Sequence, residues 1–282
     1  MSIVCIIGAG DLGGAVAQAL AGRERVARVV LIDDRPGVAA GKALDIQQAA
    51  AIEHVDVRLD GTADSDRAIG CDVCVIADRS GRPSSEWQGD EGLAMLRRLA
   101  TYLGRAPIVF AGPSQADLLL AAWRDVHLSR ERLIGSAPEA LSAAVKSMVA
   151  IEAGCSPSEI GLAVLGAPPS GFVVPWSEAS IGGYALERVL TQVQLSRIEA
   201  RVGPLWPPGP SALGRAAARV AEALLSRSRR TFSLLTMLDG EFGTRGRVGV
   251  LPAIVSTSGI VATRAPTLNT RERVRVENAL GA

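Results

Sequence analysis

The stretch that decides the fold is "IVCIIGAGDLGGAVAQAL", residues 3–20, in which an apolar run turns directly into a glycine-punctuated helical pattern. Gly8, Gly10 and Gly13 stand at GxGxxG spacing between strand and helix. The first two glycines permit a tight turn and close approach of a pyrophosphate. The third permits tight helix packing, and the helix N-terminus attracts the anion. Gly8, Gly10, Asp11, Leu12 and Gly13 are therefore the expected pyrophosphate-binding turn. Twenty residues after Gly13, at the end of "VVLID", Asp33 is placed to accept hydrogen bonds from a ribose hydroxyl and to repel a 2′-phosphate, which favours NAD over NADP. Asp34 reads as a solvated loop carboxylate.

Outward from this turn, short apolar runs alternate with amphipathic ones: "RVVLID", "GKALDIQQAA", "DVCVIA", "GLAMLRRLATYL", "APIVFAG", "QADLLLAAWRDV" and "RLIGS". This rhythm predicts a doubly wound parallel sheet, a Rossmann domain over residues 1–137. After Ala137 the rhythm changes, and residues 138–282 read as a second, mixed α/β domain. Its expected elements include a helix in "ALSAAVKSMVAIEAG", a strand in "IGLAVLG" and a helix in "TQVQLSRIEARV". The Pro/Gly-dense "GPLWPPGPSALG" (203–214) reads as a break before the helix "GRAAARVAEALL".

The composition is that of an ordinary globular protein: 282 residues, 48% hydrophobic, with 30 basic and 29 acidic side chains. A net charge of +1 gives no electrostatic reason for nucleic acid or an anionic membrane as partner. The N-terminus lacks a signal-peptide pattern and no apolar run reaches spanning length, so a cytoplasmic location is expected. Four scattered cysteines and two histidines, His54 and His127, form no metal-ligand spacing. Cys71 and Cys74 fall in a β-branched run, where alternation predicts side chains on opposite faces, buried and structural.

With "GKALDIQQAA" following the fingerprint, and "ERLIGS", "WSEASIGG", "LDGEFG" and "VGVLPAIVS" in order behind it, the chain resembles the NAD-dependent malate and lactate dehydrogenase family. The resemblance implies a Rossmann half, a substrate-type half and a homo-oligomer, dimer or tetramer. In that family a loop histidine takes the substrate hydroxyl proton; here "GAPPSG" puts Pro168 at its position. The orienting aspartate aligns with Leu141 and a carboxylate-binding arginine with Ala144. A second arginine aligns with Gln88, and the asparagine of a "TNP" turn with Gly112. Arg82, in the loop "DRSGRPSSEWQGDE", stands at the family's substrate-selecting position, suited to bidentate pairing with a carboxylate.

An intact nucleotide fingerprint beside five substituted positions points to a catalytically silent family member that binds NAD as a sensor, regulatory subunit or structural partner. An alternative is an oxidoreductase acting on another small hydroxy or keto acid, with Asp78, Arg79 or Glu139 as displaced acid, base or clamp. A third reading, an interaction protein with a closed crevice, predicts no NAD binding.

Overall fold

The computed structural model describes residues 2–23, 25–81, 86–169, 171–226 and 228–281. The strands and helices of the first half are β1 (Ile3–Ile7), α1 (Asp11–Ala21), β2 (Arg28–Ile32), α2 (Pro36–Ile52), β3 (Arg58–Thr62), β4 (Val73–Ile76), α3 (Gly89–Ala100), β5 (Ile108–Phe110), α4 (Ala116–Arg124) and β6 (Leu133–Gly135). The six strands run parallel in the order β3-β2-β1-β4-β5-β6. Such strands are covered on both faces, which is why "IVCII" and, after Arg28, "VVLI" are apolar throughout rather than alternating. Alternate residues serve different layers: Val4 and Ile6 pack with α1 and α2, whereas Cys5 and Ile7 pack with α3 and α4.

The second half comprises α5 (Ala137–Ala153), β7 (Ile160–Gly161), β8 (Leu165–Ala167), β9 (Gly171–Val173), β10 (Ser180–Ile181), β11 (Tyr184–Ala185), α6 (Leu186–Val189), α7 (Gln192–Glu199), α8 (Pro210–Leu224), β12 (Thr231–Asp239), β13 (Arg245–Ser256), β14 (Gly259–Thr263) and α9 (Thr270–Leu280). The main sheet continues from β6 into the antiparallel β12, β13, β8 and β9, with β14 paired to β13. A small separate sheet holds β11, β10 and β7. Helix α8 lies directly on α1: a Cβ at Gly214 would approach the Ala15 carbonyl carbon to 2.7 Å.

Three local expectations need correction. The helix after the Pro/Gly stretch begins inside it, at Pro210, because proline is compatible with a first helical position, where no amide donor is needed. "IGLAVLG" is not one strand. It is split between β7 and β8, which join different sheets, and at the break the Val164 N–H donates to Ser233 Oγ (3.0 Å) instead of to a strand neighbour. Cys71 precedes β4, so strand alternation does not reach it; Cys5, Cys71 and Cys74 are buried in one cluster on the same side of the sheet.

Candidate functional site

The strand order reverses between β1 and β4, and the crevice beyond their carboxyl ends is where an open α/β sheet binds its ligand. The glycine turn leaves β1 here, with Gly8 at φ +108, a conformation that side-chain-bearing residues rarely adopt. The Gly8 N–H donates to the Ile32 carbonyl (2.7 Å), tying the turn to the end of β2. One residue further, Asp33 is buried and gathers the site: Oδ2 accepts from the Ala9 N–H (2.7 Å) and the Ser80 N–H (2.9 Å). Oδ1 accepts from the Arg35 N–H (3.0 Å) and the Ser80 hydroxyl (2.6 Å). Burial alone would raise this carboxyl, but the donors from Ser80, Ala9 and Arg35 outweigh it and hold Asp33 below the ordinary value.

Gly10 caps α1 without a side chain, and the position above it is taken by Asp78, from the exit of β4. Asp78 Oδ1 accepts from the Gly13 N–H (2.9 Å), and its carbonyl accepts from the Gly10 N–H (3.0 Å). A Cβ at Gly10 would lie 2.4 Å from the Asp78 carboxyl carbon. Lys42 donates to the Gly10 carbonyl (2.6 Å) and adds a cation beside the turn. Asp11 points to solvent 3.9 Å from Lys42, and Leu12 is buried in the core, so of these two expected contacts only backbone is available at Leu12.

These groups fit a dinucleotide in kind: an amide-lined helix N-terminus with a neighbouring ammonium for pyrophosphate, and a carboxylate for ribose. In this conformation the chain's own Asp78 and Ser80 meet those donors and acceptors.

Across the crevice, beyond β4 and β5, stands a residue that the sequence reading does not single out. Glu86 lies half-buried beside Asp78, joined to it by an isolated antiparallel bridge, and its Oε2 accepts from the Ser114 N–H (3.0 Å). Burial pushes its carboxyl up, against the lowering effect of Ser114, and the neighbouring Asp78 charge adds to the rise. Its carboxylate fills the space over Gly112: a Cβ there would come within 2.1 Å of Oε2. The glycine where the resemblance expects an asparagine therefore makes room for a different polar group. The Gly112 N–H donates to Gln115 Oε1 (2.9 Å), and buried Gln115 ties the turn to the Ala77 carbonyl (3.4 Å).

The other singled-out residues scatter. Pro168 sits in the turn between β8 and β9, Leu141 is wholly buried among Val145, Val164, Val174 and Trp176, Ala144 is half-buried one turn along α5, and Gln88 is exposed at the N-cap of α3. Arg82 lies outside the described residues. Arg79 pairs with Glu91 (2.6 Å) and packs over Trp87. His54 and His127 precede β3 and β6, at the end of the sheet opposite the crevice.

Glu139 is buried in the first turn of α5 and accepts from the Ser233 N–H (2.9 Å) on β12, so it serves packing rather than the crevice. Burial raises its carboxyl, against Ser233, Lys146 and Arg219, which lower it. The folded protein thus keeps this proton at a pH where the unfolded chain releases it. Stability falls as pH rises from the ordinary carboxylate range through the raised value, and stays lower above it. Glu139→Gln is expected to raise Tm at neutral pH, with the advantage vanishing in acid. Thermal melts at about pH 4 and about pH 8 check this.

Sheet order, glycine turn and buried carboxylate together define the class of doubly wound dinucleotide-type folds. Over its whole length the sequence is similar to curated dehydrogenases. The malate dehydrogenase of Cytophaga hutchinsonii is 30% identical over 294 residues, covering 98% of this chain and 94% of the relative. That of Thioalkalivibrio sulfidiphilus is 28% identical, covering 99% and 96%. In structure, the malate dehydrogenase of Aeropyrum pernix superposes with a TM-score of 0.90 at 22% identity, covering 99% of this chain and 95% of that one. The minor L-lactate dehydrogenase of Enterococcus mundtii gives 0.88 at 18%, with coverage of 99% and 95%. No protein-family model matches the sequence. The chain belongs to the malate/lactate dehydrogenase family.

The expectation of a catalytically silent protein falls on these findings, since the relatives matched along the entire chain are malate dehydrogenases, and the doubt about hydride transfer falls with it. That expectation rests on five substituted positions and on Asp78, Arg79 and Glu139 as the only displaced candidates, and does not include Glu86, a half-buried carboxyl beside Asp78.

Proposed function

We propose that the protein is an NAD(H)-dependent oxidoreductase of a small 2-hydroxy acid and its 2-keto partner, with malate and oxaloacetate the pair to test first. The carrying observation is the Asp33-centred glycine turn at the strand-order reversal; the malate dehydrogenase relatives supply the substrate class. Gly8, Gly10, Gly13 and Lys42 would hold the pyrophosphate and Asp33 the adenosine ribose. The nicotinamide, when bound, supplies the hydride acceptor. Glu86 takes the hydroxyl proton as the substrate C–O bond becomes a carbonyl, and returns it in the reverse direction. A raised pKa suits this role, because a proton carrier works best when its pKa approaches the working pH. Arg82 is the proposed partner of a substrate carboxylate.

Residues 1–137 form the nucleotide half and 138–282 the substrate half. A homo-oligomer is supported by exposed Leu44 and Ile52 on α2, beside a groove of about 720 Å³ between α1, α2 and α8. A cytoplasmic location is supported by four free cysteines. No helix among the described residues is long and apolar enough to cross a membrane.

Oxaloacetate reduction is expected with NADH and to be much slower with NADPH, whose 2′-phosphate would meet the buried Asp33 carboxylate. Steady-state assays with both cofactors, and with pyruvate as the competing substrate, test this. Equal rates with NADH and NADPH would overturn the ribose assignment, and no turnover of either keto acid would overturn the substrate class.

A further inference from the structure

The segment Asp78–Gly81, leaving β4, lies across the dinucleotide crevice and satisfies its groups one by one. The Asp78 carboxylate accepts from the Gly13 N–H at the N-terminus of α1 and fills the space left by the missing side chain of Gly10. Ser80 donates its hydroxyl to Asp33 Oδ1 and its N–H to Oδ2. A carboxylate offers about four acceptor positions; with Ala9 and Arg35, all four on Asp33 are used. A carboxylate thus stands in for a phosphate, and a hydroxyl for a ribose hydroxyl. Gly81, at φ +86, ends the segment against Arg35, and Arg79 anchors its middle to Glu91.

We infer that Asp78–Gly81 is an internal competitor of the dinucleotide, a tucked segment whose release sets the affinity of the crevice. The inference rests on the NAD(H) reading above. Two like charges cannot share the end of α1, so Asp78 must swing away before pyrophosphate approaches Gly13. Lys42, held at the Gly10 carbonyl, then stands as a cation beside the turn that the phosphate approaches. Apparent affinity is the intrinsic affinity multiplied by the fraction of molecules in the open form. Asp78 covers the pyrophosphate end and Ser80 the ribose end, and removing either side chain removes its own part of that factor.

The test is calorimetric titration of the full chain and its variants with NADH, ADP-ribose and adenosine, together with thermal melts of the ligand-free proteins. Asp78→Gly is expected to bind NADH and ADP-ribose about tenfold tighter or more, with adenosine unchanged because it carries no phosphate. Asp78→Asn, which drops the charge and keeps the volume, should fall between. The ligand-free Asp78→Gly protein should melt lower, having lost its contact at α1. Ser80→Ala, which frees an acceptor on Asp33, should tighten adenosine and ADP-ribose alike and gives an independent reading should Asp78→Gly fold poorly. A lower Tm with no gain in NADH affinity marks Asp78 as a structural cap and overturns the inference. So does a gain for adenosine equal to that for ADP-ribose in Asp78→Gly, or no gain from Ser80→Ala. In those cases measurable NADH binding by the unaltered protein leaves the dinucleotide reading standing. No binding of NADH by any of the proteins overturns both.

Discussion

Glu86→Gln is expected to lower kcat by roughly 10²- to 10⁴-fold, the usual contribution of a positioned proton carrier, with KM and NADH affinity nearly unchanged. The amide is the same size and its oxygen still accepts from the Ser114 N–H, so the turn over Gly112 keeps its geometry. What the variant lacks is the ability to bind and release a proton. Glu86→Asp retains that ability at a shifted distance and should recover part of the loss. A Gln variant within about twofold of the unaltered kcat would remove Glu86 from the reaction.

The pH dependence follows from the direction of the Glu86 shift. Oxidation of the hydroxy acid needs the carboxylate form and reduction of the keto acid needs the carboxyl form. Because burial raises the Glu86 pKa, the oxidation rate should rise with pH through a value above the ordinary glutamate range and then level. The reduction rate should fall through the same value. In Glu86→Gln both slopes should disappear, an outcome that loss of packing alone would not produce.

Much of the architecture is legible in residues 3–33, because a parallel βαβ unit writes its fold locally: an apolar strand, three spaced glycines, an amphipathic helix and an acidic strand end. The second half is less legible because its elements are set by distant partners. "IGLAVLG" has strand composition throughout, yet Ser233, far along the chain, takes the Val164 N–H and divides it. The crevice repeats this contrast. Gly8, Gly10, Gly13 and Asp33 announce themselves by spacing, whereas Glu86 becomes a site residue only through Gly112 and Ser114, on the next strand exit. The empty side-chain position at Gly112 was the available signal, and its meaning depended on which group moved into it. Asp78 is similar: in sequence it is a strand-end carboxylate, and only the fold brings it to the end of α1.

The glycines of the turn are not equivalent, and substituting alanine should separate them by a large margin in stability. At Gly13 an added Cβ would lie 2.0 Å from the Gly8 carbonyl oxygen. Both partners are backbone in the first turn of α1 and the exit of β1, so no rotamer change relieves the overlap. The helix must move off the strand, breaking the Gly13 N–H bond to Asp78 as it goes. A cost of about 4 kcal/mol is expected for Gly13→Ala, or a fall in Tm of about 10 °C for a chain of this size. At Gly10 the added Cβ would meet the Asp78 carboxylate, 2.4–2.5 Å from its three terminal atoms. That group ends a rotatable side chain and can turn away, so Gly10→Ala loses one charge-assisted hydrogen bond and its cost should stay near 1–2 kcal/mol. In cofactor binding the two variants should converge. Alanine at position 10 puts a methyl group in the space left for pyrophosphate, so a nearly stable Gly10→Ala protein should still bind NADH poorly. Thermal melts and NADH titrations of the two variants check both halves. Equal losses of stability would mean that the Asp78 side chain is as immovable as the backbone of the turn.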